Sequence, residues 1–160
     1  MIGSEFASNA AKSKAAGDAS RKAEETSDRA TSSDPDSHGK AAMAHYDAAW
    51  RHQDAGNATR ASKHRAVAAV HQEKADAGRR AQNFAEQQTT AANALTHKAE
   101  LARFGSDSKE ARSEKQLHQD AAKAHKAAAA AHEAAGDKRQ AAFHGERASA
   151  HADFADGMKK

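Results

Sequence analysis

The chain has no cysteine and only one proline, Pro35, among its 160 residues. Without cysteine, a disulfide framework, thiol redox chemistry and a cysteine-ligated zinc site are all excluded. Proline is the residue that most strongly interrupts a helix. Its near absence leaves long stretches free to be helical, and the length predicts a single domain with a tail.

Large apolar residues are scarce too. Leu, Ile and Val together number six and aromatic residues make up 4% of the chain, whereas alanine alone occurs 45 times. Burying one methyl group is worth roughly 0.8 kcal/mol, so an alanine core is thin. Alanine is nevertheless the best helix former, and it lets helices pack closely. We expect an all-α fold, an Ala-rich bundle or short solenoid of antiparallel helical hairpins, with modest stability of its own.

A strong excess of positive charge is lacking as well. The net charge is +3, with lysine and arginine interspersed among aspartate and glutamate, whereas nucleic-acid binding needs clustered cations. No stretch approaches the ~20 apolar residues of a membrane span. We therefore predict a protein partner or self-association, with no nucleic-acid partner and no membrane span.

The first residues resemble a cloning remnant. Gly3, Ser4, Glu5 and Phe6 are what two adjacent common cloning sites encode, so we expect residues 1–6 to be vector-derived and the native N-terminus to be missing. No secretory signal is visible, and the localisation stays unknown. Residues 7–37 have low complexity and are expected to be disordered or weakly helical.

An internal repeat organises the remainder. Residues 41–77 recur as residues 121–157, with fifteen of thirty-seven positions identical, nearly all of them Ala, His or Gly. Glycines at positions 56 and 136 are typical of helix ends. The repeat predicts a helical domain over residues 38–157. It would comprise a hairpin at 38–77, a helical connection at 78–117 and a second hairpin at 118–157.

Three boundaries within this domain can be predicted from local signals. We expect Ser37 to cap the first helix. We favour a helix that continues past Gly78, straight or kinked, because nothing else nearby indicates a turn. Residues 105–108 are Gly, Ser, Asp and Ser, a composition that predicts a loop.

The hairpin pattern resembles the repeats of the tetratricopeptide-like superfamily. The unit from Ala49 to His64 has a small residue on its first helix and a Gly-Asn turn, and alanine recurs at sevens on its second helix. The positions that match this spacing are Gly56, Ala61 and Ala68, and again Gly136, Ala141 and Ala148. The resemblance implies a protein-binding scaffold without catalytic residues.

Ten of the eleven histidines belong to the repeat pattern, and only His97 lies outside it. Residues seven apart on a helix are separated by about 10.5 Å along its axis, too far to bind one metal ion together. Folding at the glycine turns pairs histidines across each hairpin, and two such pairs could bind Zn, Ni, Cu or haem. The candidate ligands are His45, His52, His64, His71, His125, His132, His144 and His151. Packing between alanine rows and sensing of pH are the alternatives.

The largest side chains lie on the first repeated helix. Met43, Tyr46 and Trp50 are expected to extend its buried side, with Tyr46 and Trp50 as candidate partner-binding residues in the alternative. We find no catalytic motif. The sequence thus predicts a non-enzymatic helical scaffold or protein-interaction module with no cofactor, and the alternatives are a metal- or haem-binding bundle and a pH-responsive helical assembly.

Overall fold

The computed structural model describes residues 2–31, 34–102 and 108–157, and these residues form five helices. The helices are α1 (Ile2–Asp28), α2 (Pro35–Asp54), α3 (Ala58–Ala102), α4 (Ser108–Ala134) and α5 (Lys138–Gly157). The predicted all-α fold is confirmed. None of the described helices is long and apolar enough to cross a membrane.

The chain divides into two compact units, Met1–Arg79 and Arg80–Lys160. The boundary falls inside α3, so each unit has three helical segments. Unit 1 contains α1, α2 and residues 58–79 of α3, and unit 2 contains residues 80–102 of α3 with α4 and α5. Part of the predicted connection at residues 78–117 therefore belongs to a packed unit, because residues 80–102 form the third helical segment of unit 2.

Two equivalent turns close the repeated hairpins. Gly56 and Gly136 have φ angles of 76° and 80°, the left-handed region that glycine adopts without steric cost. After each glycine the next amide donates to the carbonyl five residues earlier, from Asn57 to His52 and from Asp137 to His132. This is the Schellman arrangement, and it holds the two helices of each hairpin in the same register.

The start of α2 differs from the prediction. Asp34, and not Ser37, caps this helix: its carboxylate accepts a hydrogen bond from the Asp36 amide at 3.0 Å, and Pro35 occupies the first helical turn. Proline suits that position because the amide it lacks would have no partner there. The helix consequently begins three residues before His38. The predicted loop at 105–108 lies outside the described residues, apart from Ser108.

Residues 7–37 are helical over most of their described length. Ala16, Ala19 and Ala23 of α1 are buried, and Ala19 and Ala23 pack with Ala48 of α2. From its low complexity, we expected this segment to be either disordered or weakly helical. Its alanine row, spaced at three and four, buries little area per residue but fits closely against α2.

The core consists almost entirely of alanine and histidine. The largest fully buried side chains are His125 and His144. The large apolar residues point outward, so the expectation that Met43, Tyr46 and Trp50 extend the buried side is wrong. At 100° per residue, Met43 and Trp50 lie on the side of α2 opposite His38, His45 and His52. The inward positions of these helices are occupied by alanine and imidazole, and Met43, Tyr46 and Trp50 lie outside them.

One glycine in the middle of α3 is required by packing. The helix runs through Gly78 without interruption, and a β-carbon built there would lie 2.9 Å from Cβ of the buried Pro35. That distance is well inside the ~3.5–4.0 Å at which carbon atoms attract. Gly78 thus permits α2 to begin directly against α3.

This close approach gives a prediction with an internal control. Gly145 also lies within a helix, but a β-carbon there meets nothing within 4 Å. Gly145→Ala is expected to stabilise the protein by roughly 0.5–1 kcal/mol through helix propensity. Gly78→Ala should instead destabilise it by about 1 kcal/mol, because overpacking exceeds that gain. Urea unfolding of both variants measures the difference, and equal stabilisation would contradict the packing of Pro35 on Gly78.

Candidate functional site

Each unit holds a cluster of five histidines between its helices. In unit 1 they come from α2 and α3, and in unit 2 from α4 and α5. Their spacing of seven puts each row on the helix face that turns inward. Nine of the ten are buried, namely His38, His45, His52, His71, His118, His125, His132, His144 and His151. The tenth, His64, is half-buried.

The histidines bond to one another across the hairpins through their Nδ1 atoms. In unit 2 the Nδ1 atoms of His125 and His144 are 2.8 Å apart, as are those of His118 and His151. In unit 1 the equivalent pairs are His45 with His64 at 2.9 Å and His38 with His71 at 2.8 Å. A hydrogen bond between two imidazoles needs one ring to donate and the other to accept, so at least one ring of each pair is neutral.

Hydroxyl groups of the third helical segment join these pairs in unit 2. The Thr89 hydroxyl lies 2.8 Å from Nε2 of His132 and 3.0 Å from Nε2 of His144. The Thr96 hydroxyl lies 2.8 Å from Nε2 of His125 and 3.0 Å from Nε2 of His151. The result is a continuous series of hydrogen bonds, which we call the unit 2 chain. Its members in order are His132, Thr89, His144, His125, Thr96, His151 and His118.

Unit 1 has the same arrangement of hydrogen bonds, except that one bond is missing. Ser20 lies 2.7 Å from Nε2 of His52 and 2.9 Å from Nε2 of His64, as Thr89 does in unit 2. Ser27 bonds to His71, and Nε2 of the buried His45 has no hydrogen-bond partner within the described residues. Unit 1 therefore contains two shorter series. One runs from His52 to His45, and the other from Ser27 to His38.

The pairs predicted from folding at the glycine turns are present as stacked rings. His132 stacks on His144 at a centroid separation of 5.4 Å and an interplanar angle of 12°, and His52 stacks on His64 in the same way. His45 with His71 and His125 with His151 are stacked at 5.9 and 5.6 Å. The direct Nδ1 bonds use a register shifted by one heptad, which the alignment at the turn did not predict.

The eight candidate metal ligands are thus placed in bonded and stacked rows. In the described ranges no group of three or more His, Cys, Asp or Glu side chains is arranged to hold a metal ion. Six of the eight Nδ1 atoms lie at hydrogen-bond distance from another Nδ1 atom, and seven of the eight Nε2 atoms lie at that distance from a hydroxyl group. The geometry assigns these side chains to hydrogen bonding between helices, and the structure does not identify them as metal ligands.

Burial favours neutral imidazoles in both clusters. Removal from water lowers the pKa of His125 from 6.5 to about 4, with the neighbouring His144 and His151 as further causes. Burial is also the main cause that lowers the pKa of five other histidines, and nearby imidazoles add to it. These five are His45, His52, His71, His144 and His151.

Sequence analysis missed the hydroxyl partners of the histidines. Ser20 and Ser27 lie seven residues apart on α1, as do Thr89 and Thr96 on α3, and alanine follows each three positions later. The repeat search at an offset of 80 did not reveal them, because Ser20 and Thr89 are 69 residues apart. A second search with an independent offset for the third helix would have found this row.

The two units therefore share one design, in which three helical segments are joined by imidazoles and hydroxyls in place of large apolar side chains. Comparison of the chain with protein-family models, with curated proteins and with solved structures finds no match.

Proposed function

We propose that this protein is a non-enzymatic helical interaction module that self-associates through the outer face of α2. The observation that carries the proposal is the exposure of its largest side chains. Trp50, the one tryptophan of the chain, is 69% exposed, and Met43, seven residues earlier on the same helix, is 70% exposed. Tyr46 lies beside them and is 37% exposed. Exposed apolar rows of this kind are typical of interaction surfaces.

The charges around this row favour a second copy of the chain as the partner. A two-fold axis near Asp47 would cross two α2 helices in antiparallel orientation, since two-fold interfaces use the same patch on both subunits. Lys40 then faces Asp54 of the second copy, whose carboxylate also lies 3.3 Å from Lys12 Nζ of its own chain, and Met43 faces its Trp50. Both contacts occur twice, and a thioether against an aromatic ring is favourable.

Asp47 lies close to its own symmetry mate in this arrangement. Like charges there would oppose association, but Nε of Arg51 lies 3.0 Å from the Asp47 carboxylate in the same helix. Each aspartate therefore brings a cation to the interface. The apolar contacts supply the affinity in this proposal, and the outer charges fix the antiparallel direction.

Substituting the tryptophan tests self-association. Trp50→Glu is expected to weaken the dimer by about 30-fold or more, because removing a central aromatic residue typically costs at least ~2 kcal/mol. Sedimentation equilibrium at several concentrations measures this. The fluorescence of the single tryptophan should also shift to shorter wavelength as the wild-type protein associates.

Phe84→Glu is the matched control, since Phe84 is another exposed aromatic residue, in unit 2. It should leave the association constant unchanged. A wild-type protein that stays monomeric at all concentrations tested would rule out self-association through this face.

A second role, a response to pH, is favoured by the histidine clusters. Both are buried, and each Nδ1 bond within them requires at least one neutral ring. Protonation of both rings of such a pair would therefore break its bond and oppose the packing of the helical segments in that unit. The stability of the protein as a function of pH tests this role.

A further inference from the structure

The unit 2 chain has the connectivity of a single hydrogen-bonded wire. Six hydrogen bonds join its seven side chains, and each lies between 2.8 and 3.0 Å. At both threonines one hydroxyl lies between two Nε2 atoms. Thr90 differs, since its hydroxyl donates to the Glu86 carbonyl of its own helix. The Thr89 and Thr96 side chains are thus placed to relay hydrogen bonds between imidazoles.

The number of hydrogens restricts how this chain can be arranged. A neutral imidazole has one N–H and a hydroxyl has one O–H, so each inner member donates on one side and accepts on the other. Fixing the donor at one end fixes every other donor along the chain. When all rings are neutral, only two arrangements satisfy all six bonds, and they run in opposite directions.

We propose that the unit 2 chain is one proton-binding site, in which the five imidazoles share a single hydrogen-bond direction and together accept no more than one additional proton. The proposal rests on the connectivity of the bonds and deepens the pH-responsive role. It is independent of self-association through α2.

The shared direction of the hydrogen bonds determines the tautomer of each of the five rings. Rings joined through Nδ1 atoms must be opposite tautomers, and so must rings joined through a threonine. Following the chain, all three histidines of α4 have one tautomer and both histidines of α5 have the other. The α4 set is His118, His125 and His132, and the α5 set is His144 and His151.

The limit of one proton follows from the same count. A protonated ring donates on both sides, so the bonds on either side of it point away and all six are kept. A second protonated ring supplies a seventh hydrogen to six bonds. One contact would then hold two hydrogens facing each other, and that hydrogen bond is lost.

A proton bound at one ring can move along the unit 2 chain while all six hydrogen bonds are kept. When His132 is the protonated ring, its Nε2 proton passes to the Thr89 hydroxyl, whose own hydrogen passes to Nε2 of His144. The Nδ1 hydrogen of His144 then passes to His125, and the positive charge has moved with it. Each transfer forms one O–H or N–H bond and breaks one, so charge and atoms balance.

Charged groups around the chain bias where the proton lies. At the turn between α4 and α5, an Asp137 oxygen lies 3.8 Å from Nδ1 of His132. Glu100 on α3 favours the charged form of His151, and Arg147 on α5 opposes it. Asp137 therefore favours hydrogen on Nδ1 throughout α4 and on Nε2 throughout α5.

Unit 1 gives an internal comparison. Its series is interrupted between His45 and Ser27. His52 and His45 should share one tautomer and His64 should have the other, while His38 and His71 should differ from each other. The tautomers of His45 and His71 are not coupled, and unit 1 can take up one proton in each of its two series.

Nitrogen-15 NMR of the histidine rings in the full chain at pH 8 tests the proposal, because the Nδ1 and Nε2 shifts identify each tautomer. We expect one tautomer for the three α4 histidines of unit 2 and the other for the two α5 histidines. A mixture of tautomers within either set would overturn the shared direction.

Thr96→Val tests the relay through the hydroxyl. It keeps the shape of the side chain but divides the unit 2 chain. Over the part of an acid titration in which circular dichroism shows the protein to be folded, unit 2 of the variant should therefore bind two protons where the wild type binds one. Thr96→Ser, which retains the hydroxyl, and Thr90→Val, which changes a hydroxyl bonded to its own helix, should both behave as the wild type does. Equal proton uptake by Thr96→Val and the wild type would overturn the proposal.

These outcomes are separate from the acid stability of the protein. If Thr96→Val does not fold, as circular dichroism would show, the wild-type tautomers alone decide. A protein whose stability falls in acid but whose α4 tautomers are mixed would respond to pH without sharing a proton.

Discussion

At pH 5 the protein is expected to unfold at a much lower temperature than at pH 8, or to be unfolded outright. Burial lowers the pKa of six histidines in the folded state, and that of His125 falls to about 4. Each histidine that is neutral when folded and protonated when unfolded costs about 1.4 kcal/mol per pH unit. Six such groups together lower the free energy of unfolding by at most ~8 kcal/mol per pH unit. This is comparable with the ~5–15 kcal/mol that stabilises a typical domain.

The direction and the pH range follow from the two states. Unfolded histidine titrates near 6.5, so above that pH both states are neutral and the stability is at its full value. As the pH falls through 6.5 the unfolded state binds more protons than the folded state, and stability is lost until the folded pKa values are reached. Asp and Glu titrate near 4, so the change between pH 7 and pH 5 belongs mainly to histidine.

Thermal unfolding followed by circular dichroism at pH 8, 7, 6 and 5 measures this loss. We expect little change from pH 8 to pH 7 and a steep fall below pH 6.5. Equal midpoints at pH 8 and pH 5 would show that the imidazoles titrate normally in the folded state, against the burial seen in both clusters.

The sequence was sufficient to predict the helices of the repeated hairpins and the hairpin turns, whereas for α1 it left disorder and a weak helix open. Alanine-rich stretches with one proline and glycine at Gly56 and Gly136 leave few alternatives, because these are local signals. The row of histidines was also predictable, since a spacing of seven identifies one face of a helix. That face turned out to be buried, as the pattern indicated.

The inside-out distribution of the large side chains was not predictable in the same way. Met43 and Trp50 were expected in the core because large apolar side chains usually stabilise most when buried. Helices that meet through alanine leave no room for them, and this depends on how closely the backbones approach. The division of the chain within α3 is likewise a tertiary property, since the helix itself shows no break at Gly78.

The hydrogen bonding of the clusters depended on a third helix whose spacing from the hairpin differs between the units. Ser20 precedes His52 by 32 residues, and Thr89 precedes His132 by 43. A repeat with one fixed offset cannot contain both. The histidines could therefore be placed on a face by the repeat at an offset of 80, but their hydroxyl partners do not follow that offset and were identified from the packed structure.

Replacing His144 is expected to be among the most damaging single substitutions in the chain. His144 is fully buried, its Nδ1 bonds to His125, and its Nε2 bonds to the Thr89 hydroxyl. His144→Ala leaves a cavity, removes the partner of the buried His125 Nδ1 atom, and removes one of the two partners of the half-buried Thr89 hydroxyl. A buried polar group left without a partner costs about 1–3 kcal/mol, and a cavity of this kind adds to that. We expect a loss of roughly 3–5 kcal/mol in the free energy of unfolding.

Two further substitutions provide a scale for the loss of stability expected from His144→Ala. His64 is the equivalent residue of unit 1 but is half-buried, so water can replace part of its hydrogen bonding and His64→Ala should cost less than His144→Ala. His97 is exposed and outside the repeat, and His97→Ala should change stability by no more than ~0.5 kcal/mol. Urea unfolding at pH 8 measures all three. A loss below about 1 kcal/mol for His144→Ala would mean that the buried imidazoles fill space without holding the helices together.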